Sequence, residues 1–152
     1  MKPRRVGAGV VAVGMLMLLS VLGDAGVQRS EPSADTRQAV VLPGPGRAKV
    51  LAEMRQMLGS ISGILRAVVA NDMAAVEKAA RLSGMEEGAD PEIRKRVPEA
   101  FLQLGLQTHK AFDELADHAK AGATREEVIQ RLAGLSNNCV ACHAVYRFAG
   151  VP

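Results

Sequence analysis

Two cysteines and a histidine stand together near the carboxyl end of the chain, as Cys139-Val140-Ala141-Cys142-His143. Cys-x-x-Cys-His is the spacing at which a haem is attached covalently. On a helix, positions i, i+3 and i+4 share one face, so two thiols can bond the vinyl groups while the imidazole reaches iron. The expected cofactor is one covalent haem c, with Cys139 and Cys142 as the thioether donors and His143 as the proximal iron ligand. Three other uses of the same residues compete with it. A thioredoxin-like pair would open a helix that follows a strand. A zinc site would need His109 and His118 to converge with both thiols. A disulfide between residues three apart within a helix is geometrically poor.

The elements that must position this motif read as helices. Three Phe, one Tyr and no Trp are few aromatics for a sandwich or barrel, and Ala, Leu, Val and Met are plentiful. From Arg47 apolar residues recur at spacings of three and four: Leu51, Met54, Leu58, Ile61, Leu65 and Val68, widened by Val50, Met57 and Ile64. Gly59, Ser60, Ser62 and Gly63 interrupt that stripe with small residues, suited to a close neighbour. Asn71-Asp72 offers a stop and a new N-cap for a second helix that fades near Gly84. Asp90-Pro91 suits one short helical turn, and Pro98 the first position of a third long helix. That helix carries Phe101, Thr108, Phe112, Leu115 and Ala119 on one face and leaves at Gly122. Thr124 to Glu127 has the form of a capping box. The helix it opens has Val128, Leu132, Leu135, Cys139, Cys142 and Tyr146 as its seam. Four amphipathic helices with short connections predict an all-α fold, an antiparallel four-helix bundle over residues 46–152.

Ahead of it the sequence divides in two. Lys2, Arg4 and Arg5 precede an apolar run from Val6 to Gly23, and Gly23 and Ala25 supply the small residues of a cleavage site. Residues 1–25 are expected to be a signal peptide, or an uncleaved membrane anchor through residues 6–23, since the run is close to the spanning minimum. Either sends the remainder across a membrane, to the periplasm. Residues 26–45 read as a flexible linker, because Pro43-Gly44-Pro45-Gly46 is not expected to continue any helix. Removing the leader leaves 16 basic against 15 acidic residues, a net of +1 that is no nucleic-acid footprint. The short Arg94-Lys95-Arg96 run reads as a solvated turn between helices.

The order and spacing of these features resemble the cytochrome c′ family, exported four-helix bundles whose Cys-x-x-Cys-His lies near the carboxyl end. The specific match is Cys139 to Arg147, Cys-Val-Ala-Cys-His-Ala-Val-Tyr-Arg, against the family's Cys-x-x-Cys-His-x-x-Tyr-Arg. The resemblance covers residues 47–149. It implies a first-helix residue over the open side of the iron, and Met54 lies near that position, with Met57 one turn further as the alternative. A thioether is a soft haem ligand that raises reduction potential. The competing reading is a methionine that only fills core space. The family also implies that Arg147 lies near the proximal side, and that members pair as homodimers through their first two helices. Arg55 and Lys49 could pair with the haem propionates.

Two functions follow. A six-coordinate, Met-ligated iron implies a non-enzymatic carrier of single electrons between redox partner proteins. A five-coordinate iron would instead bind nitric oxide or carbon monoxide, for sensing or protection. Peroxidase chemistry finds no distal His-Arg pair. Tyr146 is read as packing, and His109 and His118 as surface or edge histidines.

Overall fold

The computed structural model describes residues 34–86 and 90–149. The chain divides into two units, Met1–Asp35 and Thr36–Pro152. The expected signal segment, its apolar run and positions 26–33 of the expected linker lie outside the described residues. Every element below belongs to the second unit.

The fold is mostly helical: β1 (Gln38–Val41), α1 (Gly44–Val69), α2 (Met73–Arg81), α3 (Pro91–Arg94), α4 (Glu99–Lys120), α5 (Arg125–Val145) and β2 (Tyr146–Ala149). Among the described residues, no helix is long and apolar enough to cross a membrane.

Local chemistry sets the helix ends. The Asp72 carboxylate accepts the Ala75 N–H at 2.9 Å and opens α2, after Asn71 turns the chain at φ 56°. Asp90 accepts the N–H groups of Glu92 and Ile93 and opens α3. Thr124 and Glu127 form a reciprocal capping box at α5, and Gly122 leaves α4 at φ 89°, where glycine escapes the Cβ clash. The hydrogen bonds from the Thr124 backbone and hydroxyl hold the Glu127 carboxyl below its ordinary range.

At the amino end the structure departs from expectation. Pro43-Gly44-Pro45-Gly46 does not lie in a linker; it starts α1, with Pro43 as N-cap and Pro45 in the first turn. The first turn has no intrahelical use for its N–H groups, and proline's fixed φ suits it. The expected linker boundary at residue 45 therefore moves back, because β1 and Leu42 are built into the fold. Val40 and Leu42 are buried, and β1 pairs with β2 in parallel, Gln38 opposite Tyr146 and Val41 opposite Ala149. A parallel pair needs a long crossover, and here all five helices supply it. Tyr146 consequently begins a strand and does not continue the seam of α5.

Two apolar clusters result. The larger unites Ile64, Val68, Val76, Ala80, Phe112, Leu115, Ala116, Val128, Leu132 and Leu135 from α1, α2, α4 and α5. Full burial of a side chain such as Phe112 or Ile64 is worth roughly 1.5–3 kcal/mol each. The smaller comprises Val40, Leu42, Val50 and Tyr146, with Met54, Ile93, Phe101, Cys142 and Phe148 against it. Phe101 meets Tyr146 edge-to-face, with ring centroids 5.3 Å apart.

The small-residue segment of α1 serves the approach of α2 within the chain. A side chain at Gly63 would press on the Ala79 Cβ at 3.1 Å, and the Ser60 and Ser83 hydroxyls hydrogen-bond at 2.8 Å in the interior. The buried stripe of α1 runs through Val50, Ile64 and Val68, with Met54, Met57 and Ile61 half-buried. Leu58, expected on the seam, is 67% exposed, and Leu65 is exposed too. Both overlapping stripes in the sequence therefore contribute: Val50 and Ile64 come from the widening set and Val68 from the main one.

Candidate functional site

Between α1, α3, α4 and the end of α5 lies a largely apolar cavity of about 490 Å³, within the range of small-molecule and cofactor pockets. Cys139, Cys142 and His143 line it from α5, and Met54 and Met57 from α1. Residues nearly 90 positions apart in the sequence thus share one wall-to-wall space.

The α5 side follows from the helix seam. Val128, Leu132 and Leu135 are buried in the larger cluster, and the same face continues into Cys139 and Cys142 where the core gives way to the cavity. Both cysteines are free and half-buried. Burial pushes the Cys139 thiol up, and burial followed by the proximity of Cys139 does the same to Cys142. Thiols so shifted stay protonated at neutral pH, which is the reverse of a thiolate poised for redox exchange or nucleophilic attack. The motif also sits in the last turns of α5, not at a helix start after a strand, as a thioredoxin-like pair would require.

His143 is exposed at the cavity's edge. Its carbonyl accepts a hydrogen bond from Arg37 Nη1 at 3.1 Å, so the segment leading into β1 occupies one of the orphan carbonyls at the end of α5. β2 begins three residues later. The strand pair thereby fixes the direction in which the chain leaves the motif.

The two methionines differ in their surroundings. Met54 packs on the smaller cluster, to which Cys142 also belongs, whereas Met57 packs on the larger. Met54 is therefore the methionine that shares a neighbourhood with the end of the motif.

Other expected site residues are placed differently. Arg147, which the resemblance puts near the proximal side, lies on β2 opposite Ala39, beyond the end of α5 at Val145, and is not among the residues lining the cavity. His109 is only 4% exposed, correcting the expectation of a surface or edge residue. Its Nδ1 lies 2.9 Å from the Ser83 carbonyl. A carbonyl only accepts, so Nδ1 carries the proton and Nε2 is the nitrogen left for anything in the cavity that His109 lines. His118 does not line it, and among the described residues no three His, Cys, Asp or Glu side chains converge as a metal cage. Sequence signals for His109 existed, since it precedes Phe112 by three positions and Ala116 by seven on α4.

Charged residues line the cavity as well: Arg94 of α3 and its N-cap Asp90, with Glu53 and Arg55 from α1. Lys49 Nζ donates to Asp90 Oδ2 at 2.7 Å, and this bond with the Glu92 and Ile93 N–H groups holds the Asp90 carboxyl below its ordinary range. The same contact ties α3 to α1.

Chemically the donor set is two thiols one helical turn apart, an adjacent imidazole and a thioether across an apolar space. It fits a flat apolar cofactor with a metal at its centre: Cys139 and Cys142 could hold its edge, and His143 and Met54 its metal. Comparison of the chain with known protein families, with curated proteins and with solved structures found no match.

Proposed function

We propose that this chain is an exported c-type cytochrome, a four-helix bundle carrying one haem c and passing single electrons between redox partner proteins. The observation that carries the proposal is the shared cavity: the Cys-x-x-Cys-His motif forms part of its wall, and Met54 forms another part from a distant helix. Bound there, the haem supplies a one-electron couple. Cys139 and Cys142 would hold it through thioethers, and His143 and Met54 would be the ligands to its iron. The apolar walls from Leu104, Ile61 and Val97 exclude water and keep the local dielectric low, one of the levers that set a haem potential. His/Met ligation raises that potential further.

Met54 stands ahead of Met57 because it packs on the cluster that includes Cys142. The leader, cleaved or kept as a membrane anchor, and the periplasmic location belong to the same reading and rest on the sequence; pairing through α1 and α2 rests on the family resemblance. Absorption spectra of wild type and Met54→Ala, oxidised and reduced, test it. The wild type is expected to be low-spin and unreactive to carbon monoxide. The variant is expected to turn high-spin and bind it. A wild-type protein that is high-spin and takes up carbon monoxide rapidly would instead favour the gas-binding function, and an unchanged spectrum in Met54→Ala would remove Met54 as ligand.

A further inference from the structure

The charged part of the cavity lining is asymmetric once its internal pairs are accounted for. Four charged residues of α1, α3 and the α3 N-cap line it: Glu53, Arg55, Asp90 and Arg94. Asp90 is neutralised by Lys49 at 2.7 Å, and Glu53 already has a partner. Arg55 and Arg94 are both exposed and have no ion-pair partner among the described residues. Two guanidinium groups therefore border an apolar space on two different elements. Their neighbours in sequence behave otherwise: Lys95 is paired with Glu92 at 2.8 Å, and Arg96 does not line the cavity. All three residues of the Arg94-Lys95-Arg96 run are exposed, as expected of a solvated turn, and Arg94 among them also lines the cavity.

Such an arrangement suits an amphiphile with an apolar body and carboxylates at one edge. Arginine is the side chain best matched to a carboxylate, because its planar fork can donate two parallel hydrogen bonds. The short helix α3 has a part in this. Its N-cap Asp90 is held by Lys49 of α1, so Arg94, one turn on, is carried at a fixed place in the lining. Lys49 is occupied in that tie, which leaves Arg55 and Arg94 as the cations available to a guest.

We infer that Arg55 and Arg94 form a carboxylate clamp that takes the two propionates of the haem; the inference rests on the haem reading above. The clamp orients the cofactor edge-on and offsets its negative charge. Reduction adds an electron beside those carboxylates, so removing a guanidinium lowers the reduction potential.

The test uses the holoprotein, with covalent haem confirmed by denatured mass in every variant. Arg55→Gln and Arg94→Gln are each expected to lower the midpoint potential, by the equivalent of about a threefold change in the reduced-to-oxidised ratio, as for an exposed ion pair. The pair together is expected to give roughly the product of the two. Arg96→Gln, the neighbouring control, leaves the potential in place. Resonance Raman propionate bands shift in the two cavity variants only, and Arg94→Lys, which keeps the charge, recovers most of the potential. Unchanged propionate bands and potential in a haem-loaded double variant would overturn the clamp alone. A wild-type chain without haem would overturn it together with the reading on which it rests.

Discussion

The two ends of the helical body use the same helices for different purposes. At one end α1, α2, α4 and α5 close on a continuous core around Ile64, Phe112 and Leu135, with its buried Ser60 and Ser83 hydroxyls paired to each other. At the other end the same α1, α4 and α5 line the cavity of about 490 Å³, and closure falls to β1, β2 and α3. The motif residues occupy the second end, where α5 has room beside it. The first end holds the structure, and the second is kept open by elements that pack around a space instead of filling it.

Core truncation should separate the ends most sharply. Phe112→Ala is expected to cost about 3–5 kcal/mol, because its ring is fully buried in the closed core. Phe101→Ala, half-buried at the open end, is expected to cost roughly 1–2 kcal/mol, since part of its ring is already in water. Denaturant midpoints of the two variants check this, and equal losses would break the distinction.

A smaller effect is expected where α2 leaves the closed end. A Cβ at Gly84 would collide with the Asp113 carboxylate. That carboxylate cannot move away freely, as it accepts the Met85 N–H at 2.8 Å and is paired with Arg81 at 2.9 Å. Arg81 also pairs with Asp117, and these two acids raise its own pKa. Gly84→Ala is therefore expected to destabilise by about 1–3 kcal/mol, the usual cost of overpacking. A thermal melt matching wild type would show that the clasp yields.

The same clasp gives the smallest effect, a pH dependence. Burial by itself would raise the Asp113 carboxyl, but the Met85 N–H and the Arg81 guanidinium outweigh it and hold the group below its ordinary range. A carboxyl with a depressed folded pKa contributes stability that is complete above its unfolded value, near 3.9, and is lost as pH falls through the folded value. Stability measured from pH 6 downward should decline below about pH 4, and Asp113→Asn should flatten that decline. An unaltered acid limb in the variant would remove Asp113 from the account.

Much of this arrangement was legible in the sequence, and the exceptions have physical causes. Asp72, Asp90 and the Thr124–Glu127 box act on neighbours within three residues, so their signals are local and the structure bears them out. The buried face of α4 through Thr108, Phe112, Leu115 and Ala119 was also readable, because period and burial coincide there. β1 was not. Its partner lies at the far end of the chain, its four residues sit beside a Pro-Gly-Pro-Gly run, and parallel pairing leaves no turn signature. Tyr146 continued the helical spacing of α5 and so concealed the change to a strand. For the site, the motif itself was plain, whereas the burial of His109 and the place of Arg94 in the cavity lining depend on how α2 and α3 fold back, which no spacing along α4 or the basic run encodes.

The central claim is that Cys139 and Cys142 carry haem. The intact mass of the purified protein, taken after denaturation and thiol alkylation, tests it most directly. The account predicts a chain heavier by one haem with neither cysteine alkylated, and loss of that mass in the Cys139→Ser, Cys142→Ser variant. A wild-type chain of unmodified mass, alkylated at both cysteines, would contradict it.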